Sequence, residues 1–220
     1  MHTTHHTVSL ADHTLHLIDF IPATFTPADL LWLPHHEALA HCALKRQTEH
    51  LAGRIAALHA LQEHGFSTIP APGAAGEPCW PQGVSGSISH SGQRAVAVVA
   101  SHPVGVDLEA QFSPALCDEL AASIVNAQEH ALLAACPLPF TLALTLAFSA
   151  KESLYKAFSP QAKPFPGFAS AHITAIDEQH LELRFLAEFS PQLVDKKVNV
   201  YWRADHERVM TLAVGLPFGS

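Results

Sequence analysis

The sequence predicts an α+β fold. Three observations carry that reading: each half of the chain holds one long helical segment, short apolar runs of strand length stand beside both, and stretches dense in Pro and Gly separate them. At 220 residues the chain has room for one large domain or two compact halves of about 100 residues each.

The elements follow in order. Between Thr3 and Phe25, the loose alternation of Leu15, Leu17, Ile18 and Phe20 fits a strand. The first strong helix covers residues 44–64. Its Leu51, Ile55 and Leu58 repeat at i, i+4 and i+7, and Gly65 stands where a helix commonly ends. Residues 70–86 are too rich in Pro and Gly to continue a helix and read as a loop. The loop leads into residues 87–91, then the apolar runs 95–100 and 104–109, which His102-Pro103 separates. That pattern predicts two neighbouring strands joined by a tight turn, and a chain boundary near residues 101–103. Ser113-Pro114 opens a helix with a capping Ser and a Pro in the first turn. Asn126 and Glu129 open another with a pair like a capping box, which Pro137 and Pro139 end. A third helix covers about residues 141–158, followed by a loop over residues 160–167. The short runs 173–176, 181–186, 198–202 and 209–214 look like antiparallel strands.

Composition excludes several classes. Apolar residues make up 48% and charged residues 15%, which supplies a core and excludes disorder. Twenty acids against 12 bases give a net charge of −8, the wrong sign for a nucleic-acid binder. Cys42, Cys79, Cys117 and Cys136 are widely spaced, so they read as reduced thiols in a cytosolic protein and not as a zinc site or disulfide framework. The 17 histidines are scattered, with no His-Glu-x-x-His, and read as surface or interior residues. The N-terminus lacks a signal-like apolar segment and no run reaches the length of a membrane span, so the expectation is a cytoplasmic protein with loose membrane association left open.

Four elements carry chemistry. Asp107 and Glu109 stand two apart on a strand, so both carboxylates project from one face, an arrangement that repels unless a cation sits between them. The apolar residues around them predict an interior strand; the competing reading is an exposed strand end with two solvated acids. Ser149, Glu152 and Lys156 share one helical face at i, i+3 and i+7, and Lys151 completes the only charged end of an apolar helix. An ordinary surface ion pair would also give Glu152 and Lys156. The segment Gly83-Val-Ser-Gly-Ser-Ile-Ser89-His90-Ser-Gly92 offers a permissive backbone and hydrogen-bonding groups suited to a phosphate, without the lysine of a Walker loop. Arg46, His50 and Arg54 repeat every four residues beside Lys45, a cationic stripe that is either solvated or aimed at an anion.

The order of these elements, basic stripe, Ser-His segment, Asp-x-Glu strand and Lys-Glu-x-x-x-Lys helix, resembles the larger, single-chain 4′-phosphopantetheinyl transferases. The likeness runs from near the N-terminus to about residue 158. It implies two pseudo-symmetric α+β halves, residues 1–102 with the basic helix and Ser-His loop, and 103–220 with the metal-binding strand and Lys-Glu helix, with the active site in the cleft between them. It also implies transfer of phosphopantetheine from coenzyme A to a serine of an apo carrier protein, with release of 3′,5′-ADP. Asp107, Glu109 and Glu152 would bind Mg²⁺, in keeping with its preference for oxygen ligands. Ser89, His90 and Lys156 would contact the phosphates, with Lys151 a further cofactor-binding position. Lys45, Arg46 and Arg54 would hold the 3′-phosphate and adenosine end. Glu152, or a water it orients, would take the serine proton, with Lys156 as its catalytic partner. The implied acceptors are aryl- and peptidyl-carrier domains of a nonribosomal peptide synthetase that makes a catechol siderophore. Phe165 and Phe168, with the start of the Ser113 helix, are placed as a carrier-docking patch; the competing reading packs both rings inward.

Two departures stand out. Where family members often carry Gly-Lys-Pro, this chain has Gly76-Glu77-Pro78, and Leu44 occupies a position that is basic in many of them. A Mg²⁺-dependent phosphodiester or nucleotide hydrolase and a non-catalytic carrier-binding module are the competing functions. The first would cleave coenzyme A with no carrier present, and the second has no need of three clustered carboxylates.

Overall fold

The computed structural model describes residues 1–164 and 166–215, and these fall into two compact units, Met1–His102 and residues 103–215. Both are a long helix laid on an antiparallel sheet.

In the first unit, β1 (His2–Leu10) and β2 (His13–Ile21) form a hairpin, α1 spans Leu44–Glu63, and β3 (Ser85–Ser91) and β4 (Arg94–Ala100) form a second hairpin. The sheet order is β1-β2-β4-β3. The single strand expected within residues 3–25 is thus two, because Ala11 and Asp12 adopt φ of 47° and 61° and reverse the chain. Much of the segment expected as the Ser-His loop is strand β3, paired along its length with β4. Helix α1 buries Ala52, Ala56, Ala57, Ala60 and Leu61 against Ile18, Phe20, Ala95, Ala97 and Val99. Small residues on that face bring the helix close, and a Cβ at Gly53 would come within 2.8 Å of Ile88 Cγ2. Left-handed Gly65, at φ 80°, ends the helix and lets the Phe66 N–H donate back to Leu61.

The second unit contains β5 (Val104–Ala110), α2 (Pro114–Ile124), α3 (Ala127–Ala135), α4 (Phe140–Phe158), β6 (Ala171–Ile176), β7 (His180–Phe185), β8 (Lys197–Ala204) and β9 (Arg208–Val214). The sheet order is β5-β9-β8-β7-β6. Ser113 caps α2 through Leu116 N, and Asn126 with Glu129 forms a full capping box on α3. Two expectations need correction. The runs 95–100 and 104–109 are not neighbouring strands: β4 pairs with β2 and β3, and β5 with β9. Nor is β5 interior to its sheet; it is an edge strand. Its residues Val104 to Leu108 are buried because α4 packs on it. Gly105 makes that packing possible, since a Cβ there would lie 1.9 Å from the Ser153 carbonyl oxygen. Among the described residues, no helix is long and apolar enough to cross a membrane.

Candidate active site

The close approach of β5 and α4 brings three of the sequence-predicted residues together at Asp107. This carboxylate is only 6% exposed. Its Oδ2 accepts a hydrogen bond from Ser149 Oγ at 2.8 Å, and its Oδ1 accepts one from Lys156 Nζ at 2.7 Å. Lys156 also donates to the Val106 carbonyl at 3.2 Å. Thr211, the β9 partner of Asp107 in register, steadies Ser149 by donating to its carbonyl at 2.9 Å. Thr211 lies about 100 residues along the chain, and nothing local in the sequence marks it.

Glu109 and Glu152 belong to the same electrostatic cluster. Burial pushes the Glu152 carboxyl above the usual range, the charges of Asp107 and Glu109 add to this, and Lys156 opposes it. Burial likewise raises Glu109, with Asp107 adding to it and the Ala110 N–H and Lys156 opposing. Among the described residues, no three His, Cys, Asp or Glu side chains converge as a ready-made metal cage. The chemistry of the donors nonetheless suits a hard divalent cation. Carboxylate oxygens of one sign lie within electrostatic reach of one another, and Mg²⁺ commonly takes only one or two carboxylates beside phosphate oxygens and water.

A cavity of about 370 Å³ opens beside Glu152, walled by Leu154, Tyr155, Phe168, Ala171 and Phe189. Sequence reasoning missed it, because its walls come from α4 and from segments with no shared motif. Lys151 lines it too, but its ammonium is committed elsewhere. Nζ pairs with Glu129 Oε1 at 2.8 Å and donates to the carbonyls of Ile124 at 2.9 Å and Phe168 at 3.0 Å. Burial holds the Lys151 ammonium below the usual lysine value, and Glu129 opposes that shift. Phe168 is half-buried with its ring against Phe148, at a centroid distance of 5.3 Å, and Phe165 lies outside the described residues.

In the first unit, the cationic stripe runs from solvent to interior. Lys45 is 84% exposed and loosely paired with Glu49 at 3.9 Å, and Arg46 is exposed. Arg54 is 5% exposed; its Nε donates to the Pro70 carbonyl at 2.7 Å, while Nη2 is buried without a hydrogen-bond partner. A buried guanidinium that keeps an unused donor is suited to an anion. Burial, reinforced by Arg46, lowers Arg54 to about 10. His50 is held at about 3 by burial and by Arg54, His35, Arg46 and His90, and its Nε2 lies 2.9 Å from His35 Nε2. Ser89 is buried on β3, and His90 Nδ1 stands 3.6 Å from Glu49, a buried acid that sequence reasoning did not single out. Glu77 closes its own loop, accepting from Ala75 N at 2.9 Å.

Comparison with known proteins gives matches in both units. Residues 35–100 match the 4′-phosphopantetheinyl transferase N-terminal domain, and residues 103–213 match the 4′-phosphopantetheinyl transferase superfamily. The chain is 47% identical to enterobactin synthase component D of Salmonella typhi over 212 residues, covering 96% of this chain and 90% of that one. It is 45% identical to the Escherichia coli K12 protein of the same name, covering 96% and 98%. A 4′-phosphopantetheinyl transferase of Mycobacterium tuberculosis is 37% identical over 158 residues, 67% of each chain.

Proposed function

Because the chain belongs to the 4′-phosphopantetheinyl transferase family, we propose that it moves the phosphopantetheine of coenzyme A onto a serine of an apo aryl- or peptidyl-carrier domain in catechol siderophore synthesis of the enterobactin type. The observation that supports this most is the cluster on β5 and α4, in which Asp107 pairs with Lys156 and the charges of both act on the half-buried carboxyls of Glu109 and Glu152.

Asp107, Glu109 and Glu152 would hold Mg²⁺, which when bound neutralises phosphate charge. The remaining chemistry falls to the chain's own groups. The serine oxygen bonds to the β-phosphorus of coenzyme A, the bond from that phosphorus to the bridging oxygen breaks, and 3′,5′-ADP leaves with its electron pair. Glu152, directly or through a water, takes the serine proton. The Lys156 ammonium offsets charge on the phosphate oxygens. Ser89 and His90 contact the phosphates, and Arg54 offers its unused Nη2 to the 3′-phosphate beside Arg46 and exposed Lys45. The apolar cavity beside Glu152 suits the pantetheine arm.

The test is to incubate the protein with coenzyme A, Mg²⁺ and an apo carrier domain and to weigh the carrier by mass spectrometry. The carrier should gain one phosphopantetheine. Rapid cleavage of coenzyme A with no carrier present would overturn the reading in favour of a hydrolase.

A further inference from the structure

Lys151 is the motif residue whose environment least resembles a ligand site. Its side chain is 3% exposed, as is that of Glu129, and each is saturated by fixed partners. Glu129 Oε1 accepts from the Ile173 N–H at 2.8 Å as well as from Lys151, and Oε2 accepts from the Asn126 N–H at 2.9 Å. Lys151 adds the carbonyls of Ile124 and Phe168. One ion pair thus ties together the end of α2, the cap of α3, the start of β6, the Phe168 turn and α4. A phosphate contact from Lys151 would leave the Glu129 carboxylate buried without its cation, at considerable cost.

We propose that Lys151 and Glu129 form a positioning strut that fixes the Phe168 wall of the cavity beside Glu152, and that Lys151 touches no phosphate. The inference rests on the transferase reading, in which that cavity receives the pantetheine arm. Lys151 and Glu152 are adjacent on α4, so about 100° of helical rotation separates the side chain held in the strut from the one that feels the charge of Asp107. The Phe168 carbonyl is held from Lys151, and Gly167, Ser170 and Ala171 line the same cavity. Releasing the carbonyl lets that wall shift, which weakens the fit of an arm and leaves phosphate contacts intact.

The test compares two ligands by calorimetry, in Mg²⁺, with thermal midpoints alongside: coenzyme A, and adenosine 3′-phosphate 5′-diphosphate, which carries the same phosphates and no arm. Lys151→Met and Glu129→Gln should each lose roughly tenfold in affinity for coenzyme A and bind the armless nucleotide like wild type. The double variant should lose no more than either single one, as expected of two residues acting as a unit. Should Lys151→Met fail to fold, the double variant, which leaves no unpaired buried charge, carries the same comparison. Equal losses on both ligands in Lys151→Met, with Glu129→Gln unaffected, would make Lys151 a phosphate ligand and overturn the proposal. Unchanged affinity in both variants would overturn it as well. A wild-type protein that binds neither ligand would instead overturn the transferase reading, a result distinct from any difference among the variants.

Discussion

The two units share a plan and differ in what they bury. Each lays a long helix on an antiparallel sheet, and in each a glycine lies at a tight helix–strand contact, Gly53 on the helix in the first and Gly105 on the strand in the second. The first unit buries cationic and imidazole groups along α1, leaving Arg54 with an unused donor and His50 neutral. The second buries Asp107, beside half-buried Glu109 and Glu152, and answers it with Lys156 and Ser149; a separate buried pair joins Lys151 to Glu129. One scaffold therefore supports opposite electrostatics. The first unit has donors to spare for an anion, whereas Asp107 in the second already has its hydrogen bonds.

The sharpest way to break that comparison is at the carboxylates. Asp107→Ala and Glu152→Ala should each lower carrier modification by about 10³-fold or more, with unchanged circular dichroism. Retention of full activity by Glu152→Ala in excess chelator would overturn the Mg²⁺ site proposed at Asp107, Glu109 and Glu152.

The glycines come next. Gly105→Ala should cost about 3 kcal/mol or more, because its Cβ meets the α4 backbone. Gly53→Ala should cost under about 1 kcal/mol, because the obstacle is a side-chain methyl of Ile88 and alanine is the better helix former. Chemical denaturation of the two variants measures both, and equal losses would show that the two close contacts are equivalent.

In the first unit, Arg54→Ala should raise the KM for coenzyme A by about 10- to 100-fold and leave that for dephospho-coenzyme A nearly unchanged. Equal losses on both substrates would assign Arg54 to packing against the Pro70 segment.

The last effect concerns pH. His50 is held at about 3 when folded and returns to its ordinary value of 6.5 when unfolded, so the unfolded chain binds the extra proton between those values. Stability should therefore fall as pH drops below about 6.5, by on the order of 2 kcal/mol at pH 5. Melting curves at pH 7 and pH 5 should show a smaller drop for His50→Gln than for wild type. An identical drop would place the acid sensitivity elsewhere.

Local signals carried much of this into the sequence. The span of α1, the capping residues Ser113 and Asn126, and the two-residue spacing of Asp107 and Glu109 are written within single elements, although α1 buries mainly its alanines on the sheet while Ile55 and Leu58 of the expected stripe stay half-buried. What depends on distant pairing was not legible. Apolar runs adjacent in sequence suggested a hairpin at residues 95–109, but β5 takes its partner about 100 residues later, in β9. Flanking valines made β5 look central because burial by a helix and burial between strands leave the same apolar pattern. The pairing of Lys151 with Glu129, 22 residues earlier, left no sign in the motif that contains Lys151. The cavity beside Glu152 escaped for the same reason, since its walls meet only in the fold.

The contact between Lys156 and Asp107 has a consequence for how the protein comes into being. A buried carboxylate cluster that relied on a metal for its countercharge would tie folding to the supply of that metal. Here Asp107 takes its countercharge from the Lys156 ammonium and a hydrogen bond from the Ser149 hydroxyl, both provided by the chain itself, so the newly made polypeptide can bury this carboxylate without an added ion. Assembly of the β5–α4 contact is thereby complete within the polypeptide itself, and growth of the protein in a chelated medium should leave its folded yield unchanged.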